Sequence, residues 1–247
     1  PVWSPDGTVL TDDFPEDHYH HRGISWMWPR VRVGDAQYDL WHLQGVRQEF
    51  REWTTRKAGP SSATVAASVA WVAEGTTIVD EQVRIRVHPA SSGRRAVDVR
   101  LTLEATGRPV TLLGQSNQDK GYGGFSFRFA PRDSTVIVSP EGRKTDSDHQ
   151  RLAWADESGR FTGATEWKGA AIFQYPSHPG HPVQWTLRHY GFLGVAWPGN
   201  DGQRLEPGRP VTLRYRVLLH EGAAEEAGVA QAYQAFVEGP QLSDPAP

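Results

Sequence analysis

The sequence contains no cysteine among its 247 residues, which excludes disulfide bonds, thiolate metal ligands and a cysteine nucleophile. It also lacks an excess of positive charge. The 26 Lys and Arg residues stand against 29 Asp and Glu, which gives a net charge of −3. Domains that bind nucleic acid are usually basic, so we predict no nucleic-acid partner.

Long hydrophobic runs are absent as well. The mean hydropathy is −0.56, and no stretch approaches the ~20 apolar residues that a membrane-spanning helix needs. We therefore predict no membrane partner. A protein without disulfides can exist on either side of a membrane, and the sequence indicates neither the compartment nor the oligomeric state.

Tryptophan and histidine are plentiful, with 10 residues of each. Burying a tryptophan whose N–H has no partner is unfavourable, so a surplus is typical of a binding surface with stacking faces. Sugars are common ligands of such surfaces, and we predict a small-molecule or glycan ligand.

Alternation of apolar and polar residues dominates the chain. It is clear in Val83–Val87, Val97–Glu104 and Val211–Val217, and it is typical of antiparallel strands with one buried face. Shorter apolar segments separated by Gly- and Pro-rich turns predict further strands at Ile24–Trp28, Thr64–Ala73, Val110–Gly114, Phe125–Phe129, Thr135–Ser139, Ala170–Tyr175, Gln184–Arg188 and Phe192–Trp197. The pattern predicts an all-β fold, a large antiparallel β-sandwich that forms one domain over residues 1–247.

One segment has a helical pattern. In Ala224–Val237 the apolar residues Val229, Tyr233 and Phe236 recur at helical spacing, and Gly239-Pro240 follows. We predict one C-terminal helix near residues 224–237, packed on the outside of a sheet or over an open edge.

The densest group of chemically active residues is His18, His20, His21 and Arg22. In an extended segment His18 and His20 would share one face, with His21 opposite. Such a pair could chelate a divalent ion, but we favour acid–base chemistry and predict no metal. Arg22 offers a planar fork for a carboxylate such as that of a uronic acid. The alternative is that these histidines only cap turns and hydrogen-bond to backbone carbonyls.

A second group follows two X-Pro units, which favour an extended loop. It comprises His181, Trp185, Arg188 and Tyr190. This group is either a site facing the first group or a Pro-rich loop beside a core tryptophan. We predict that the two groups line a common hollow.

Two other segments carry weaker signals. The polar, Gly-rich stretch 115–124 is interpreted mainly as a hairpin loop from which Asn117 and Lys120 reach a substrate. The stretch Asp39–His42 places a histidine beside Trp41, and we interpret it as packing.

The motifs Phe14–Gly23 and His181-Pro182-x-x-Trp185-x-x-Arg188-x-Tyr190-Gly191 resemble those of the bacterial family labelled methane oxygenase PmoA. The resemblance covers essentially the whole chain and implies a soluble β-rich protein that acts on carbohydrates. It also implies a further β segment before Pro1. The supersandwich of sugar mutarotases is one architecture that fits.

Three functions remain open. The first is a carbohydrate-active hydrolase, lyase or epimerase. In it His20, His21 and His181 transfer protons, Arg22 and Arg188 bind a carboxylate or stabilise negative charge, and Trp26 or Trp185 stacks on a sugar ring. His18, Asn117, Lys120 and Tyr190 would help to bind substrate. The second is a non-catalytic sugar-binding module, and the third is the metal-dependent oxygenase that the family label suggests.

Overall fold

The computed structural model describes residues 1–239, so residues 240–247 of the predicted domain lie outside the described residues. Its strands are β1 (Ile24–Met27), β2 (Arg30–Val33), β3 (Ala36–Tyr38), β4 (Val46–Gly59), β5 (Ser62–Ala73), β6 (Thr76–Val87), β7 (Arg94–Ala105), β8 (Val110–Leu113), β9 (Gly124–Arg128), β10 (Arg132–Ser139), β11 (Gly142–Lys144), β12 (Ser147–Arg151), β13 (Trp154–Phe161), β14 (Lys168–Gln174), β15 (Gln184–Arg188), β16 (Phe192–Ala196), β17 (Gln203–Leu205) and β18 (Val211–Glu221). One α-helix, α1, spans Val229–Glu238.

The strands form three sheets with antiparallel pairing. A five-stranded sheet has the order β1-β9-β16-β15-β12, a nine-stranded sheet the order β11-β10-β13-β14-β18-β7-β6-β5-β4, and a four-stranded sheet the order β17-β8-β2-β3. The first two sheets share one apolar core, in which the ring of Phe125 stacks on that of Tyr215 at 4.4 Å between centroids. The predicted all-β antiparallel sandwich with one helix is confirmed.

The alternation of apolar and polar residues along the strands determines which side chains enter the core. On β7 and β18, Leu101, Leu103 and Leu213 point inward and are fully buried. The pattern fails where polar residues are paired inside the protein. The stretch that forms β13 contains Asp156, Glu157 and Ser158, all buried, and we predicted no strand there.

The helix begins at Val229, five positions after the predicted start. Gly228 precedes it in a left-handed conformation with φ of 63°, which a right-handed helix does not continue through. The stretch before it is a turn in which the carboxylate of Glu226 accepts the backbone N–H of Ala223. The helix packs on the outside of the nine-stranded sheet, as predicted, with the ring of Phe236 4.2 Å from that of Tyr175.

The five-stranded sheet has an outer face turned away from the nine-stranded sheet. Because β9 and β16 pair with Arg128 opposite Phe192, these two residues lie on the outer face, whereas Phe127 and Leu193 point into the core. Loops from the first 45 residues cover this outer face. No helix within residues 1–239 is long and apolar enough to cross a membrane.

Candidate functional site

Four histidine rings gather beside the outer face of the five-stranded sheet. His18, His20, His21 and His42 form what we call the imidazole cluster. The ring centroids of His20 lie 4.6 Å from His21, 4.7 Å from His42 and 5.8 Å from His18. The loop that precedes β1 and the loop that follows β3 therefore contribute to the same group.

This segment is not extended, so His18 and His20 do not share a strand face as they would in an extended chain. The backbone turns instead, because the N–H of His18 donates to the carbonyl of Pro15 and the N–H of His21 donates to the carbonyl of His18. The turn brings the rings of His18 and His21 face to face at 4.7 Å. In an extended chain these two side chains would point to opposite faces.

Aromatic residues from the strand β16 and the turn before it complete the stack. The ring of His21 lies on Phe192 at 4.8 Å, and the ring of His18 lies on Tyr190 at 4.8 Å. Tyr190 is 42% exposed, so the stack begins in the core and ends at the surface.

Two carboxylates hold the outer imidazoles. Nδ1 of His42 donates to Oδ2 of Asp39 at 2.7 Å, while Oδ1 of Asp39 accepts the backbone N–H of His42. Nδ1 of His18 lies 2.9 Å from Oδ2 of Asp17. The hydrogen bond from Nδ1 fixes the tautomer of His42 and leaves its Nε2 for other partners. Nδ1 of His18 makes no hydrogen bond.

Charge and burial tune the ionisable groups of the cluster. Burial by itself would raise the pKa of Asp17, but its contacts with His18 and Arg128 lower it to about 2. Burial, followed by the neighbouring His42 and His18, lowers the pKa of His20. Burial, followed by His20 and His18, lowers the pKa of His21 to about 3. The lowered pKa values favour the neutral form of both imidazoles.

Unpartnered polar atoms collect around the same face. Nε1 of Trp41, Nδ1 of His21 and Oγ1 of Thr186 are buried without a hydrogen-bond partner, as are Nε and Nη1 of Arg128. The ring of Trp41 lies 5.9 Å from that of His21. Buried donors and acceptors are normally satisfied, so this group of atoms is typical of a place that receives a polar ligand.

Two of the five residues predicted from the first segment, Arg22 and Trp26, lie outside the imidazole cluster. His18, His20 and His21 belong to the cluster, but the guanidinium of Arg22 lies 3.4 Å above the ring of Phe14 and 3.4 Å from Asp13. The indole of Trp26 points into the core side of the sheet, where it donates to the buried carboxylate of Glu81.

The second predicted segment is divided between two ends of β15. Tyr190 joins the imidazole cluster. Arg188 binds both carboxylate oxygens of Asp148, at 2.6 and 2.7 Å. Trp185 is fully buried and donates to the carbonyl of Leu152, so it has no ring face free for a sugar.

His181 precedes β15 and Tyr190 follows it, so the two residues lie beyond opposite ends of this strand. The strand between them spans about 13 Å. Its neighbours Pro179 and Gly180 line a separate cavity of about 240 Å³. Burial lowers the pKa of His181. The two predicted groups therefore meet at Tyr190, while the residues around 180 face another opening.

The main chain of the polar loop 115–124 has a structural role. Asn117 is exposed, and its carbonyl accepts the backbone N–H of Lys120. The carbonyl of Lys120 accepts from the side chain of Gln184. Tyr122 from this loop packs on Trp41 at 5.2 Å and links the loop to the cluster.

Sequence reasoning missed Arg128, and it treated Asp39 and His42 as packing. A signal existed for Arg128, since a charged residue at an alternating position of the strand Phe125–Phe129 must face away from the core. No local pattern indicated that His42 would meet His20. Within residues 1–239, no group of three or more His, Asp or Glu side chains is arranged to hold a metal ion.

Comparison with known proteins gives distant structural relatives. A GalM/aldose epimerase homologue from C. elegans is 9% identical with a TM-score of 0.40, over 90% of both chains. A galactose mutarotase related enzyme from Lactobacillus acidophilus is 9% identical with a TM-score of 0.41, over 88% of both chains. At this level the likeness carries no argument about activity. No curated protein matches the chain.

The resemblance to the family labelled methane oxygenase PmoA is wrong. The motifs that suggested it, Phe14–Gly23 and the segment after His181, lie within the 234 residues that match a different family profile. The chain belongs to the family of unknown function DUF6807, whose profile matches residues 1–234.

Proposed function

We propose that this protein is a carbohydrate-active enzyme in which the imidazole cluster transfers protons. The observation that carries the proposal is the position of His20 between His42, which Asp39 fixes by a hydrogen bond, and His18, which lies beside Asp17. Efficient proton transfer needs a base that is unprotonated at working pH beside a second group of fixed orientation.

His20 and His42 are the proposed acid–base pair. The pKa of His20 is lowered by burial, so at pH 7 its ring can accept a proton. The ring of His42 is fixed through Nδ1 on Asp39, and its ring centroid lies 4.7 Å from that of His20. Two imidazoles at this separation can exchange protons with neighbouring atoms of one substrate, as hydrolysis, elimination or epimerisation requires.

The surroundings favour a carbohydrate as substrate. Tyr190 is 42% exposed beside the cluster, and aromatic side chains at a surface commonly contact sugars. The unpartnered N–H of Trp41 and hydroxyl of Thr186 can bond to sugar hydroxyls. His18 and His21 stack on each other and lie edge-on to His20, and His21 offers an unpartnered Nδ1.

The test compares His20→Gln and His42→Gln with the unchanged protein on a panel of glycans and free sugars. Reducing-sugar release, unsaturated product and anomeric exchange by NMR detect the three reaction types. We expect either substitution to lower kcat by about 10²- to 10⁴-fold, the usual contribution of a general acid or base.

A matched control exists on the nine-stranded sheet. His88 forms an equivalent pair with Asp98, with Nε2 2.7 Å from Oδ2. His88→Gln should leave turnover unchanged. Full activity in both His20→Gln and His42→Gln, with both proteins folded, would contradict the proposal.

A second candidate, a non-catalytic sugar-binding module, is favoured by one observation. Phe50 and Trp53 on the edge strand β4 are 55% and 52% exposed, and their ring centroids lie 5.1 Å apart. Such a pair can serve as a stacking platform. Saturable glycan binding without product, abolished by Trp53→Ala and retained by His20→Gln, would support this alternative.

A further inference from the structure

Arg128 is a buried cation at the base of the imidazole cluster. It is 6% exposed and ends the strand β9 on the outer face of the five-stranded sheet. Its Nη2 donates to both carboxylate oxygens of Asp17, at 2.7 and 2.9 Å. The ring of Tyr190 lies over the guanidinium carbon at 4.9 Å. The side chain is thus in contact with the residues that border the site.

Two of its three guanidinium nitrogens have no partner. Nε and Nη1 are buried and donate to no group in the described part of the chain. Arg216, which pairs with the buried Asp98, behaves differently, since it uses both Nε and Nη2 on that carboxylate. Leaving charged donors unpaired in a buried position is unfavourable. A buried arginine with unpaired donors is therefore typical of a ligand-binding group.

The chemistry of these donors selects an anionic oxygen. A guanidinium binds carboxylate and phosphate more strongly than neutral oxygen. Asp17 occupies Nη2 and is ionised, so the pair has little net charge. One added negative charge can be compensated there by protonation of a neighbouring imidazole, whereas a doubly charged phosphate would need further cations.

We propose that Arg128 binds the carboxylate of the substrate, so that the substrate class is an acidic sugar of the uronate type. This inference rests on the proposed carbohydrate function and names the substrate of that same site. Arg128 takes the part that the sequence assigned to Arg22, whose guanidinium lies on Phe14 instead.

The test measures binding of D-glucuronate and D-galacturonate against D-glucose and D-galactose by titration calorimetry and ligand-observed NMR. We expect the unchanged protein to prefer each acid over its neutral counterpart by about 10- to 100-fold, the value of a charged hydrogen bond. Arg128→Gln should remove the preference. Inorganic phosphate should compete weakly.

Arg22→Gln is the matched control, because it removes an exposed arginine from the same loop region, and it should retain the preference. Arg128→Lys keeps the charge but has fewer donors, and it should reduce the preference without unfolding the protein if Arg128→Gln proves unstable. Circular dichroism verifies that each variant is folded.

The outcomes separate this inference from the proposed function. Turnover of neutral sugars without any acid preference overturns the carboxylate site and leaves the enzyme proposal intact. Binding of the acids through Arg128 without turnover supports the carboxylate site and contradicts the enzyme proposal. Failure to bind either acid, or loss of preference in Arg22→Gln alone, also overturns the inference. Tighter binding of phosphate than of the uronates overturns the inference that the ligand of Arg128 is a carboxylate.

Discussion

The Asp39–His42 pair and the Asp156–His220 pair have nearly the same length, 2.7 Å and 2.6 Å, but lie in opposite surroundings. The side chains of the first pair are 22% and 28% exposed and stand beside His20. Those of the second are fully buried on the outer side of the nine-stranded sheet. Contact with solvent and substrate, rather than the pair itself, distinguishes a proton-transfer group from a structural one.

The buried pair is part of a small hydrogen-bond network. Asp156 also accepts the hydroxyl of Ser158, and Gly169 lies between Ser158 and His220 in the sheet register. A side chain at Gly169 would collide with both, because a Cβ there would lie 2.6 Å from atoms of each. The glycine therefore makes room for a polar network that links β13 and β18 across β14.

The largest expected effect is the loss of this network in Asp156→Ala. Removal of the carboxylate leaves His220 and Ser158 buried without their acceptor, and we expect a loss of about 3–5 kcal/mol in the free energy of unfolding. Urea denaturation measures it. Asp146→Ala is the control, since the Asp146–His189 pair is exposed and should contribute less than about 1 kcal/mol. Equal losses in the two variants would remove the distinction between buried and exposed pairs.

The next effect concerns the dependence of stability on pH. The pKa of His21 is about 3 in the folded protein against 6.5 ordinarily, so the unfolded chain takes up a proton first as pH falls. Its contribution to stability is complete above pH 6.5 and declines toward pH 3, by about 3 kcal/mol between pH 7 and pH 4. Urea midpoints across this range follow the decline.

His21→Phe should flatten this decline while keeping the stack on Phe192. A smaller decline should remain from His178, whose pKa burial lowers to about 4. His149→Gln is the control, because His149 is exposed. An unchanged pH dependence in His21→Phe would show that folding does not lower the pKa of this imidazole.

A smaller effect is expected for Asp39→Asn. The amide no longer holds His42 in one tautomer, so kcat should fall by about tenfold, part of the contribution of an acid–base group. The free energy of unfolding should change by less than about 1 kcal/mol, because the pair is partly exposed. Steady-state kinetics with urea denaturation separates the two readouts. A large loss of stability with unchanged kcat would place this pair in the same class as Asp156–His220.

The smallest effect concerns the turn beside the buried network. Gly228 has φ of 63°, and alanine there should lower the free energy of unfolding by about 1 kcal/mol. Gly59→Ala is the control, because the space around that position is open. No difference between the variants would mean that the left-handed turn before α1 tolerates a side chain.

Much of the fold could be predicted from the sequence. The strands around Val83–Val87, Val97–Glu104 and Val211–Val217 are found because alternation reports one buried face, which depends only on neighbours along the chain. β13 and β4 could not be predicted in this way. Polar residues in β13 are paired across the sheet, and β4 is an edge strand rich in exposed charge.

The candidate site was predicted in part. The histidines of the first segment were identified because their density is visible in the chain, and Tyr190 was included with the second segment. The same reasoning placed Trp185 at the site, although a buried tryptophan and a stacking tryptophan have the same local sequence. His181 and Tyr190 seemed to belong together by motif, but a strand lies between them.

By itself the sequence determined the antiparallel β class, the presence of one C-terminal helix and the concentration of imidazoles near residue 20, because each depends on residues close in the chain. Only the tertiary structure decided that His42 joins His20 and that Arg128 lies beneath Asp17 and Tyr190. These contacts join loops and strands far apart in sequence, and strand order and turn geometry bring them together.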